Sequence, residues 1–144
     1  MITKGIWKGQ YKHDNKVHHR IEGVEATNFE INITSVDNEH FTGTVEDDLL
    51  TGGTEGIGQI TGSVWGEQVE FIKQMPVLTT LNPKTGARKT YDRKHPKIYY
   101  TGTLSDDGRT ISGRWKFKPG LILVGLMLLL GAGNGGTWTM TLDK

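Results

Sequence analysis

The residues best equipped for chemistry are one lysine, a group of histidines and two groups of carboxylates. Lys73 shares its alternation phase with Phe71 and is the only charge on that phase of its segment. An ammonium on an apolar face neutralises an acidic ligand, or, near the end of a strand, reaches back to water. Residues 13–26 gather His13, His18 and His19 with Asp14, Glu22 and Glu25. Imidazole and carboxylate groups of this kind suit zinc or nickel. Adjacent His18 and His19 point to opposite faces of an extended chain, which splits a shared site, so a polar loop without metal is the expectation. Glu46-Asp47-Asp48 and Asp106-Asp107 each follow a glycine-centred phrase. Paired carboxylates do acid–base work or bind Ca²⁺, but solvated turns and strand ends are expected here.

The stretch 84–97 carries Lys84, Arg88, Lys89, Arg93, Lys94 and Lys97 against only Asp92. Such a run grips phosphate or an acidic partner, or is simply solvated. Before Tyr99 only Tyr91 offers a ring for base stacking, so no nucleic-acid partner is expected. There is no Ser-His-Asp spacing, phosphate-binding glycine loop or HExxH. No catalytic residue, metal or cofactor is assigned, and the expectation is not an enzyme.

These residues must be positioned by strands. One five-residue phrase recurs: large apolar, small or polar, glycine, any residue, large apolar. It reads Trp7-Lys8-Gly9-Gln10-Tyr11, Phe41-Thr42-Gly43-Thr44-Val45, Ile60-Thr61-Gly62-Ser63-Val64, Tyr100-Thr101-Gly102-Thr103-Leu104 and Ile111-Ser112-Gly113-Arg114-Trp115. In a strand, the two large residues and the glycine share one face. A glycine inside a strand marks a bend or a close backbone approach. Its recurrence at equivalent places implies a tightly coiled sheet, closed as a barrel. Alternation continues through Phe29, Ile31 and Ile33, through Val69 and Phe71, and through Trp138, Met140 and Leu142.

Core strands are expected at about 4–12, 27–36, 40–46, 57–65, 68–75, 97–104, 110–118 and 136–143. Asp37-Asn38, Gly66-Glu67 and Asp106-Asp107-Gly108 supply short links. Short links make sequence neighbours into spatial neighbours. The fold class is therefore all-β: an antiparallel up-and-down meander barrel of about eight to ten strands. Asn82-Pro83-Lys84-Thr85-Gly86 reads as a turn between Val77–Leu81 and Ala87–Tyr91, giving a protruding hairpin or two extra strands.

The chain has 144 residues, which suits one domain over 1–144. A formal charge of +1 gives no strong field for nucleic acid or anionic membrane. The absence of cysteine excludes disulfides and thiolate chemistry. A strand opening by about residue 4 leaves no room for a cleaved secretory signal, so a cytoplasmic location is expected.

A closed meander opening with Gly5-Ile6-Trp7 resembles the calycins, the superfamily of lipocalins, fatty-acid-binding proteins and avidins. Trp115 and Gly136-Thr137-Trp138 look similar to the Trp-rich closing strands of avidins. The likeness departs in places. The last strand ends Leu142-Asp143-Lys144, without the arginine that lipocalins pack against the first Trp. Lys8, Gly9 and Gln10 do not match the polar biotin-binding residues of avidins, and Arg114 lies on the outward phase, unlike the interior arginines of fatty-acid-binding proteins. The resemblance implies a barrel that encloses small apolar ligands, and no reaction.

The inward face is either a filled core or a cavity lined by aromatics with polar handles. As a cavity it would bind through Trp7, Tyr11, Phe29, Phe41, Phe71, Lys73, Tyr100, Trp115, Trp138 and Met140. The handles would be the Tyr11 and Tyr100 hydroxyls and the indole N–H groups. The leading expectation is a non-catalytic carrier or sensor for a small apolar molecule. The alternatives are a filled-barrel interaction module and an isomerase- or lyase-type barrel enzyme. The run Leu121–Leu130 is apolar on every side and too short to span a bilayer, which takes roughly 20 residues. It is expected to be a lid, a homo-oligomer contact or a membrane-surface segment.

Overall fold

A computed structural model describes residues 2–14, 26–51, 53, 55–76, 78–81, 88–91, 97–117 and 135–143, with backbone alone described at 78–81 and 88–91. The strands are β1 (Gly5–His13), β2 (Thr27–Asp37), β3 (His40–Asp47), β4 (Ile57–Trp65) and β5 (Gln68–Gln74), then β6 (Leu78–Leu81), β7 (Arg88–Tyr91), β8 (Ile98–Leu104), β9 (Thr110–Phe117) and β10 (Gly135–Leu142). Eight of them close a barrel in the order β1-β10-β9-β8-β5-β4-β3-β2, every neighbouring pair antiparallel. β6 and β7 form a separate hairpin inserted between β5 and β8. The Asn82–Gly86 turn expected between them lies outside the described residues, as do His18, His19, Glu22, Glu25, Lys84, Asp92, Arg93, Lys94 and the apolar run 121–130.

The meander sorts the links by end. β2–β3 is joined through Asn38-Glu39, with Asn38 at φ 56°, and β4–β5 through Gly66-Glu67, with Gly66 at φ 60°. A left-handed backbone there lets two residues reverse the chain. Residues 105–109 join β8 to β9 at the same end. The links 14–26, 48–56, 75–97 and 118–134 all leave from the opposite end. The loops long enough to carry function therefore depart from one rim.

The inward alternation expected from the sequence is observed. Trp7, Phe29, Ile31, Ile33, Phe41, Val45, Ile60, Val64, Val69, Phe71, Tyr100, Ile111, Trp115, Trp138 and Met140 are buried in one cluster, with Tyr11 and Phe117 packed against it. Much of the space left by the inward glycines is taken by neighbours. A Cβ on Gly62 would meet the Phe71 Cβ at 2.5 Å and the Phe41 Cζ at 2.7 Å, besides the Glu70 carbonyl. One on Gly102 would meet the Trp138 ring at 2.8 Å. Phe71 stacks on Tyr100 at 4.6 Å, and Trp138 meets each edge-on at 5.3 Å. Gly62→Val should therefore cost about 1–3 kcal/mol through overpacking. The check is a lower urea midpoint at unchanged denaturant slope; an unaltered midpoint would mean that the wall yields freely at β4.

The first and last strands pair as closure requires, but Trp7 and Trp138 are not opposite one another. The register sets Trp7 against Leu142 and Tyr11 against Trp138. The two residues' backbones lie four positions apart along the seam, roughly 13 Å at the rise of a strand. Among the described residues, no helix is long and apolar enough to cross a membrane.

Candidate functional site

The long-link end of the barrel holds a polar cluster inside the apolar wall. β3 alternates Phe41, Gly43, Val45 and Asp47 inward, and β5 alternates Val69, Phe71 and Lys73. Each strand thus ends its inward row on a charge. Lys73 is 2% exposed and Asp47 6%. The Lys73 Nζ donates to Asp47 Oδ1 at 2.7 Å. The pair reaches across β4, which presents Gly58, without a side chain, between Val45 and Met75.

The sequence expectation for both residues is corrected here. Lys73 does not reach water: it is buried, and the barrel wall supplies its counterion. Asp47 is not part of a solvated strand end. Its neighbours Glu46 and Asp48 face outward, where such residues were expected, but Asp47 shares the phase of Val45 and turns inward. The signal was two charges on inward phases, which must find each other or stay unpaired at high cost.

Two tyrosines complete the cluster. The Tyr11 hydroxyl donates to Asp47 Oδ2 at 3.2 Å, and the Lys73 ammonium stands 4.9 Å from the centre of the Tyr11 ring. Tyr100 stands diagonally across the β5–β8 register from Lys73, opposite Phe71. Thr27 gives its hydroxyl proton to the Thr51 carbonyl at 2.7 Å and flanks Tyr11. Above the pair, aromatic rings form the wall. Trp115 meets Tyr11 edge-on at 5.9 Å, His13 at 5.0 Å and Phe117 at 5.7 Å, and Phe29 stacks beside Tyr11 at 6.3 Å. Tyr11, His13 and Phe117 are half-buried, so this end of the interior is its accessible part.

Of the ten residues expected to bind a ligand, Tyr11, Phe29, Lys73 and Trp115 meet at this rim. Phe41, Phe71, Tyr100 and Trp138 form the aromatic plug beneath. Met140 lies against Gly9 and Ile111 in the wall, and Trp7 stands toward the tight-turn end. The indole handles are committed to backbone: Trp7 to Thr3, Trp115 to Lys12, and Trp138 to Thr101 and Arg114, at 3.0–3.1 Å. Arg114 is exposed, as its phase implied, and pairs with Asp14. Among the described residues no three histidine or carboxylate groups converge as metal ligands.

The cluster holds its protons firmly. Burial, then the Asp47 charge, pushes the Tyr11 phenol well above its ordinary value. Burial likewise pushes Tyr100 up to about 12, against a partial opposing pull from Lys73. For Lys73 burial works downward, but the Asp47 carboxylate and Tyr100 reverse it, so its ammonium is held above the ordinary lysine value. All three groups bind protons more tightly folded than unfolded. Their stabilisation is complete below about pH 10, the unfolded tyrosine value, and is lost as pH rises toward their folded values. Tyr100 alone accounts for about 2–3 kcal/mol of that loss. In an alkaline titration followed by tyrosinate absorbance, Tyr11 and Tyr100 should ionise only above the ordinary tyrosine value of about 10, together with loss of the near-ultraviolet circular dichroism. Tyr11 and Tyr100 ionising near pH 10 in a barrel that stays folded would refute this.

A wide depression of about 800 Å³ lies on the outer wall, between outward-facing Lys8, Gln10, Asn28, Glu30 and Glu46. It is a solvated sheet face of mixed charge whose lining also takes in Phe29 and Asp47. No protein-family model, curated protein or solved structure matches the chain.

Proposed function

We propose that this barrel is a non-catalytic binding protein, a carrier or sensor, for a small apolar molecule received at its long-link end. The observation that carries the reading is the buried Lys73–Asp47 pair, with buried Tyr100 nearby and half-buried Tyr11 bonded to Asp47, at a rim of half-buried aromatic side chains. A buried ion pair is seldom worth more to stability than the apolar residues that could replace it. Ligand pockets, by contrast, are apolar sites with a few fixed polar groups. The calycin resemblance agrees with this, since a closed meander barrel opening on Trp7 is the frame that those proteins use. The aromatic plug beneath limits the ligand to the upper part of the interior.

The enzyme reading has less support. A general acid or base works best when its pKa lies near the working pH. Burial drives Tyr11 and Tyr100 the other way, and the pairing holds Lys73 charged. The interaction-module reading is favoured by one observation: Leu49, Leu50 and Ile57 are exposed at the long-link end, Leu50 at 92%. With the apolar run 121–130, they would make the contact of a homo-oligomer.

Native mass spectrometry of the purified protein separates the two. A carrier shows a monomer with co-purified or added apolar ligand, whereas an interaction module shows a ligand-free oligomer. Trp115→Ala should weaken uptake of a neutral apolar dye by about tenfold, the loss of one aromatic wall contact. Dye affinity that survives Trp115→Ala unchanged would defeat binding at this rim.

A further inference from the structure

Among the described residues, Lys73 and Asp47 are the only buried charges, and they cancel. Nζ and Oδ1 are 2.7 Å apart, with the side chains 3% and 1% exposed. The ammonium also faces the rings of Tyr11 and Phe29, at 4.9 and 6.0 Å from their centres. An anionic ligand head placed here would find its cation already neutralised and would stand close to a second carboxylate, an arrangement that disfavours the charged form.

Among the polar side chains of the cluster, Lys73, Asp47, Tyr100 and Thr27 are buried, and Tyr11 is the one that is only half-buried. Its one proton goes to Asp47, and Thr27 spends its own on the Thr51 carbonyl. The phenol oxygen keeps lone pairs for a donor from above. We propose that the site takes an uncharged amphiphile whose head donates a hydrogen bond, a hydroxyl or an amide N–H, and that Asp47 excludes the corresponding carboxylate. The proposal rests on the reading of the barrel as a binding protein. It reverses what Lys73 alone would suggest, since an unpaired inward lysine would select acids.

The test compares dodecanol, dodecanamide and dodecanoate, below their aggregation limits, as competitors of a neutral environment-sensitive dye. The assay is run at about pH 8. Wild-type protein should release dye to dodecanol or dodecanamide at a concentration at least about tenfold below that needed with dodecanoate. Asp47→Asn leaves the Lys73 ammonium without a carboxylate and should invert that order. The double substitution Asp47→Leu with Lys73→Met removes both charges. It should narrow the preference without inverting it, and it keeps the proposal testable if Asp47→Asn fails to fold. Dodecanoate binding as well as dodecanol in the wild type, or a preference indifferent to both substitutions, would overturn the proposal and leave the binding reading standing. Failure of dye and all three amphiphiles to bind would overturn the binding reading itself.

Discussion

Lys73→Met should lower the unfolding free energy by about 3–5 kcal/mol, the cost of leaving a buried carboxylate without its ion partner. Methionine matches the length and apolar stem of lysine, so little packing volume is lost and the effect isolates the charge. Asp47 would keep the Tyr11 hydroxyl at 3.2 Å, but a neutral donor does not replace an ammonium at 2.7 Å. The reciprocal test is to remove both members. Lys73→Met combined with Asp47→Leu should recover most of the loss, because a buried pair is commonly no more stabilising than apolar residues of similar volume. Urea unfolding of the wild type, the two single variants and the double variant gives the coupling directly. A Lys73→Met cost below about 1 kcal/mol would put the pair among exposed salt bridges and contradict its burial. Recovery in the double variant would also show that stability is not what the pair contributes, which strengthens the case for a role in binding.

How far the sequence disclosed this arrangement follows from what alternation encodes. Period two assigns a face to each residue of a strand. It therefore placed Phe41, Val45, Phe71, Tyr100 and Trp115 inward, and the Asn38 and Gly66 links bounded their strands to within about a residue or two. Alternation does not encode which residues of different strands meet. Trp7 and Trp138 both face the core, yet the β1–β10 register places Tyr11, not Trp7, opposite Trp138. The Lys73–Asp47 pair has the same origin: its members stand on β5 and β3, separated by β4, and no local pattern joins residues 26 positions apart. Asp47 was further obscured by Glu46 and Asp48, whose outward charges made the run resemble an ordinary strand end. The glycine phrase was legible for a physical reason. A missing side chain at a fixed phase is what a coiled wall needs, as at Gly102 and Gly113, which lie directly opposite each other in β8 and β9.

Trp7→Ala should cost about 3–5 kcal/mol, the range for removing a large aromatic ring from a core that cannot collapse around the loss. Trp7 is fully buried, at 0% exposure, between Leu142 and Ile31 on the flanking strands. Its indole N–H donates to the Thr3 carbonyl at 3.0 Å, which ties down the segment ahead of β1, and Ile2 is buried in the same core cluster. Trp7→Phe keeps most of the ring and loses that anchor, so it should cost less, with about 1 kcal/mol from the hydrogen bond. The contrast with Trp115 separates scaffold from site. Trp7 stands toward the tight-turn end and Trp115 at the long-link rim, in edge-on contact with His13 and Phe117. At a temperature where both proteins are folded, Trp7→Phe should leave the affinity for an apolar dye within about twofold of wild type, as distant sites act independently. Trp115→Ala should lower that affinity by about tenfold. Equal losses from the two substitutions would mean that the barrel responds as a whole, and the ligand would then have to lie deeper than the rim, among the rings of Phe71, Tyr100 and Trp138.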